Sequence, residues 1–543
     1  MATYVDNGYV YSTSDINLLS RNTAIGDSSQ AYSFGQGNTS VGNATLSIIN
    51  QGDNNTVMGD SAMGKSVYAT QNDAFGQNAL KSLRNVNADG FWNTAVGSQS
   101  MENDTSSYAT VALGFRALRN PLKTDETTAL GVGAMEHGTR SNASTAVGRG
   151  AMFNFGTAEQ NTAVGYYSMS NKRSGVWNTS IGNVSLEQDT TGQGNTGIGV
   201  SAFRYNYRSN DNVGVGINSG YFAQGSGSNG GNTYIGSYSG VGAVTVSTGI
   251  NNAALGYFSM NKNTTGSSNV AVGVNALYNN TTGAQNVAVG QAALYDLSTG
   301  TYNTATGYQA LTNAVGNSNS AFGYNALMTY SASGNAWNNA FGDFAAENLA
   351  SGTQNVMMGS WVMRNISSGT YNTAIGNTAL YGAPGATSVQ NNTAIGGNTL
   401  SAVTSNSAGN TALGVNAGQS VTSGTNNTLI GYGANVTTGT LTNASAIGYN
   451  SSVSQSNSLI LGSTAVDVGV GVTAPLTKFH IYEPAAAAVN LRVASSASAN
   501  EPGLELVKVG GSDWKIRVGG ASGALVYARG TDDFATTPTD YYQ

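Results

Sequence analysis

The chain runs to 543 residues and 55.3 kDa, yet only 9% of its residues are charged, where roughly a quarter is usual for globular domains. With 40% hydrophobic residues and 28 Tyr beside 73 Gly, it is too apolar for a disordered chain. A net charge of −6 and zero Cys leave no basic face for nucleic acid, no disulfide and no thiolate metal site, and no run of about 18 apolar residues offers a membrane span.

Residues 1–20 begin Met1-Ala2-Thr3-Tyr4 and contain neither a basic n-region nor an apolar h-region. They are expected to be an N-terminal cap or attachment segment, in a product synthesised in the cytoplasm with no membrane insertion.

From Asn22 the pentapeptide Asn-Thr-Ala-(Ile/Val)-Gly recurs, with departures, up to Gly462. Its 26 closing glycines define 25 intervals, of which 16 measure 17 residues. A fixed period over such a length is the signature of a repeat architecture. In an extended pentapeptide the side chains alternate, so Ala shares a face with Asn while Val or Ile takes the other. A second apolar element follows each glycine, as in Asn275-Ala276-Leu277 and Thr378-Ala379-Leu380, and a polar turn leads on, as in Asn279-Asn280-Thr281-Thr282-Gly283. Each unit reads as a strand, a tight Gly turn, a short second strand and a polar loop. Stacked in parallel at about 4.8 Å per coil, the units predict an all-β, repetitive parallel β-roll or β-solenoid over residues 21–465, a column of roughly 120 Å. The recurrent Asn is expected to stack as an amide ladder.

Intervals longer than 17 residues lie between Gly76 and Gly97, Gly216 and Gly256, Gly323 and Gly342, and Gly376 and Gly414. They mark expanded loops, which carry Phe91, Trp92, Tyr221, Phe222, Trp337 and Tyr381. Exposed Trp and Tyr can stack on sugar faces, which makes Trp92 and Trp337 candidate glycan contacts. The plainer reading is that Trp92, Trp177, Trp337 and Trp361 cover the apolar edges of neighbouring coils.

Residues 466–543 lose the period. Leu504-Glu-Leu-Val-Lys-Val509 and Trp514-Lys-Ile-Arg-Val518 alternate like ordinary strands, so a small C-terminal β tip domain is expected. Its Trp514, Tyr527, Tyr541 and Tyr542 are the other candidate receptor contacts.

Little in the chain points to catalysis or cofactors. The two histidines, His137 and His480, stand apart from any ligand cluster, and each reads as a packing or surface residue. Glycan hydrolysis needs two carboxyls across a scissile bond, and the acids are scattered. Glu102 with Asp104, and Asp532 with Asp533, are the nearest to a pair. No metal, cofactor or catalytic residue is expected.

A strand face of Val and Ile on a roll too narrow to hide it predicts an apolar stripe, which closed cyclic symmetry would bury. The repeats Asn161–Gly165, Asn269–Gly273 and Asn372–Gly376 resemble those of trimeric autotransporter adhesin heads, the YadA-like left-handed parallel β-roll, and still more those of phage tail-fibre shafts. Adhesin head repeats run a few residues shorter than these. The segment Asp467–Pro475 with Lys478–Tyr482 is similar to a Gly-(Ile/Val)-Gly-Thr-x-x-Pro motif near the ends of many tail fibres, with Val472 where the motif has Thr. There it often precedes a self-cleaving chaperone, so Gln543 is expected to be either a processed end or the end of a chain that never carried one.

These resemblances imply a homotrimer and a tail fibre of a virion. One end would join a phage baseplate or another fibre protein, and the other would meet a host-surface glycan or protein receptor. The alternatives are a bacterial surface adhesin, which would need a signal peptide and an anchoring barrel, and a glycan-depolymerising tailspike.

Overall fold

The computed structural model describes residues 21–481 apart from 30–34, 48–51, 84–89, 223–229 and 244–247, together with the backbones of five strands nearer the termini. The chain divides into two compact units, Met1–Ser463 and Thr464–Gln543.

The first unit is a parallel β-solenoid with no α-helix among the described residues. Twenty-six short strands, from Thr23–Ile25 to Leu459–Leu461, form one ladder. Each pairs in parallel with its counterpart one coil away, in perfect register; Val270, Ala271 and Val272 oppose Val287, Ala288 and Val289.

The coil from Asn269 to Asn286 shows why the repeat has its composition. Asn269 and Ala271 point inward and are buried. Oδ1 of Asn269 accepts both the backbone N–H (2.9 Å) and the side-chain amide (3.2 Å) of Asn286. The Asn269 amide donates to the Gly283 carbonyl at 2.8 Å. Gly273 closes the strand at φ 132, and a methyl group there would lie 2.6 Å from the Gly290 carbonyl oxygen, so only glycine lets the next coil stack so closely.

Asn275-Ala276-Leu277 departs from the sequence expectation. It is not a second strand but a turn in which Asn275 (φ 57) and Leu277 (φ 52) are left-handed. The alternation sends successive amides to opposite neighbours: Asn275 N–H bonds Tyr257 O at 3.0 Å and Leu277 N–H bonds Ala293 O at 2.9 Å. The segment thus pairs with both adjacent coils while turning the chain. It also directs Ala276 and Leu277 into the core, and both are fully buried.

Core volume is conserved where the pattern breaks. Tyr234 occupies the strand Ala position, and its ring fills the space beside Gly240, where a methyl group would come within 2.3 Å of it. Phe203 likewise stands over Gly214 and Gly220. Such paired large and small residues keep the roll at one cross-section.

In the second unit Val468–Val470 pairs in parallel with Phe479–Ile481. Gly503–Leu506, Asp513–Gly519 and Ala524–Gly530 form an antiparallel three-stranded sheet. Nearer the N-terminus, Thr3–Asp6 and Tyr9–Ser12 pair antiparallel.

Candidate interaction surface

The strand position between Ala and the closing Gly faces outward, yet it is apolar in every coil of the ladder except at Thr306. Leu255 remains 49% exposed, Leu413 46% and Met358 45%. An outward strand position normally carries polar side chains, as the Thr two residues earlier in most coils does.

Neighbouring members of this column pack on each other along the stack. Phe322 and Phe341 lie parallel, with ring centroids 4.7 Å apart. A second column, the residue after each Gly, adds Phe115, Val132, Tyr166, Val200, Ile217 and Tyr257 among its exposed members. This second column is polar at other coils, such as Arg149, Asn183 and Gln291, so the continuous patch is the outward strand column, larger than isolated exposed side chains produce.

Trp92 and Trp337 occupy one structural position. Each immediately precedes the ladder residue of its coil, Asn93 or Asn338, in left-handed backbone (φ 58 and 49), and Trp177, Tyr302 and Tyr371 stand in the same column. Trp92 Nε1–H donates to Gln71 Oε1 at 2.8 Å, and Trp177 Nε1–H to Gln160 Oε1 at 2.8 Å. In both pairs the Gln sits in that column one coil earlier. Trp361 stands elsewhere, with the Arg364 guanidinium over its ring at 4.5 Å. Trp92 and Trp337 remain 55% and 51% exposed. The side chains of Trp514 and Tyr527, on the paired strands of the C-terminal sheet, and the whole of Tyr541 and Tyr542 lie outside the described residues.

The carboxyls considered for hydrolysis sit in unlike places. Glu102 is partly exposed and accepts from Arg119 Nε–H at 2.9 Å. Asp104 is sealed from solvent, where it accepts hydrogen bonds from Ser107 Oγ–H, Thr124 Oγ1–H and Ser106 N–H. Burial pushes its carboxyl up to about 7, against the opposing pull of those hydrogen bonds. Asp532 and Asp533 lie outside the described residues.

A buried ion pair joins Lys172 to Asp189 at 3.3 Å, at equivalent positions of successive coils. Burial lowers the Lys172 ammonium and raises the Asp189 carboxyl, and the attraction between them opposes both shifts. His480 lies on the strand Phe479–Ile481, and its Nδ1 accepts from Leu476 N–H at 3.2 Å. No group of three or more His, Asp or Glu among the described residues could hold a metal ion.

No protein-family model matches the chain, and no curated protein matches it.

Proposed function

We propose that the chain is a structural fibre protein, a homotrimeric phage tail fibre that attaches a virus particle to its host. The observation that carries this reading is the outward apolar column. Its side chains are about half exposed on a single chain, so burying the rest of each is worth roughly half of the 1.5–3 kcal/mol that complete burial gives. Summed over the ladder, that is a strong drive to associate along the whole solenoid. Rotation about an axis parallel to the stack closes the contact and leaves no sticky face for filament growth. The resemblance of the repeats to tail-fibre shafts supports three chains. The similarity of Asp467–Pro475 to tail-fibre end segments favours the fibre over an adhesin. The role is mechanical: a stiff stack holds host-binding sites in threes, so that weak contacts act together.

The test is native mass by light scattering after size exclusion. Three chains of 55.3 kDa give about 166 kDa, with early elution. The triple variant Leu255→Glu, Met358→Glu, Leu413→Glu is expected to lose the trimer while keeping its β circular dichroism. A 55.3 kDa species for the unaltered chain, or a trimer indifferent to the three charges, would sink the proposal.

A further inference from the structure

Half a coil away from the apolar column an open groove of roughly 1080 Å³ crosses the solenoid wall between His137 and Arg208. Its floor is Phe155, 4% exposed, flanked by two glycines that keep it open. A methyl group on Gly138 would strike the Phe155 ring at 2.3 Å, and one on Gly156 would lie 2.1 Å from the Arg173 carbonyl oxygen.

The groove's charge is one-sided. Arg173 and Arg208 line it, with His137 at one end, and no carboxylate is among the described residues that line it. Neither guanidinium makes an ion pair or a side-chain hydrogen bond within the described residues. That sets them apart from Arg119, Arg204 and Arg364, each tied to a glutamate of the preceding coil. The nearest acid to His137 is Glu136, 3.7 Å from its Nε2, and Arg116 and Arg119 also lie within 4 Å of that carboxylate. In a chain with only 21 Lys and Arg and a net charge of −6, two unpaired arginines in one groove are a local exception.

The remaining lining is neutral and polar. Asn154, Asn171 and Gln188 stand in one column on successive coils, and Tyr207 presents a 38% exposed ring. Amides donate and accept in the pattern that sugar hydroxyls need, and a half-exposed tyrosine offers a flat apolar face with a polar tip. Four coil steps separate His137 from Tyr207, so the groove runs roughly 19 Å along the stack, long enough for several linked sugars.

We infer that this groove is a binding site for an acidic polysaccharide. Arg173 and Arg208 would hold oxyanions of the polymer by forked hydrogen bonds, while the amide column and Tyr207 hold the sugars between. The site deepens the attachment role proposed above and rests on that reading for its biological sense. Its chemistry needs only the single chain, and the apolar column that would be buried in a trimer lies on a different part of the coil.

The experiment is titration calorimetry of the full chain with four polymers: polygalacturonate, glycerol-phosphate teichoic acid, dextran and oligo-dT. One or both acidic glycans are expected to bind at least about tenfold more tightly than dextran and to weaken as salt is raised. Polygalacturonate alone would identify a carboxylate ligand, and teichoic acid alone a phosphodiester. Arg173→Gln and Arg208→Gln are each expected to cost about tenfold in affinity, with native mass and melting unchanged because both side chains are exposed.

Failure of both acidic glycans to bind, equal binding of oligo-dT, or an unaltered affinity in the double variant would each overturn the inference. A monomer that binds would overturn the trimeric fibre alone, and a trimer that does not bind would overturn the groove alone.

Discussion

Two stretches of the same solenoid solve one hydrogen-bonding problem differently. From Asn252 to Asn303 every ladder position is Asn. Each amide accepts from the next coil through Oδ1 and donates through Nδ2 to a carbonyl 13 or 14 residues on, as Asn286 does to Gly300 O at 2.8 Å. At Thr110, Thr127 and Ser144 the same position holds a hydroxyl. Thr110 Oγ1–H still reaches the carbonyl 14 residues on, Thr124 O, at 2.7 Å. A hydroxyl has one donor where the amide has two, and it cannot also donate to the ladder residue behind it. Here the backbone supplies a second parallel ladder, Lys123–Asp125, Arg140–Asn142, Thr157–Glu159 and Ser174–Val176. The core beside it is polar, with Asp104, Ser107 and Thr124 in mutual contact. That ladder starts beside Thr127 and Ser144 and runs on beside Asn161 and Asn178, whereas the described backbone beside Asn252 to Asn303 has no second strand ladder.

The sharpest way to break this contrast is Asn286→Leu. It strips the acceptor from both amides of Asn303 and the donor from Gly300 O, all buried. At about 1–3 kcal/mol per unsatisfied group, the loss is expected to reach about 4 kcal/mol. Faster amide hydrogen exchange in the coils on either side, with distant coils unchanged, is the readout.

Next in size is Asp104→Asn. The folded carboxyl titrates at about 7 instead of 3.8, so the folded state holds the proton more tightly than the unfolded one. Its contribution is complete below pH 4, declines as the pH rises towards 7 and is flat beyond. The Asn variant should remove that decline and be more stable by about 3 kcal/mol at pH 8. Urea midpoints at pH 5 and pH 8 check this, and an unchanged pH profile would refute it.

Smallest is Thr127→Ala. It removes a hydroxyl that donates to Asp125 O at 2.9 Å, in coils whose backbone pairs independently. About 1 kcal/mol is expected, and a loss as large as that of Asn286→Leu would erase the distinction between the two stretches.

Much of the solenoid was legible in its residues. The Asn, Ala and Gly of each pentapeptide give the strand, its inward face and the close stacking, and the amide column follows from Asn recurring at one position. The outward apolar column was legible in the Val and Ile that alternation places opposite Ala. The turn at Asn275 and Leu277 was not, because a left-handed leucine is imposed by packing and inter-coil bonding and has no residue signature. Nor was the shared column of Trp92 and Trp337, since interval lengths suggested loops while the ladder asparagine that follows each sets its place. His137 reads alone as an ordinary surface residue. The groove exists only because the roll brings Asn154, Arg173, Gln188 and Tyr207 beside it from four further coils. Laying the chain out at its 17-residue period would have shown those residues on one side and no acid in line with the two arginines.

The buried pair Lys172–Asp189 has a consequence for how the chain finds its own order. Coils that share an asparagine, an alanine and a glycine at matching places are close to interchangeable, so stacking one on the wrong neighbour would still complete most of the backbone bonds. The odd residues supply landmarks. If the coil carrying Lys172 skipped its neighbour, it would meet Asn206 in place of Asp189 and leave a charge buried without its counter-ion, which costs about 3–5 kcal/mol. Tyr234 beside Gly240 and Phe203 beside Gly220 act likewise through shape. A monotonous sequence thus carries its page numbers in the few places where the monotony fails.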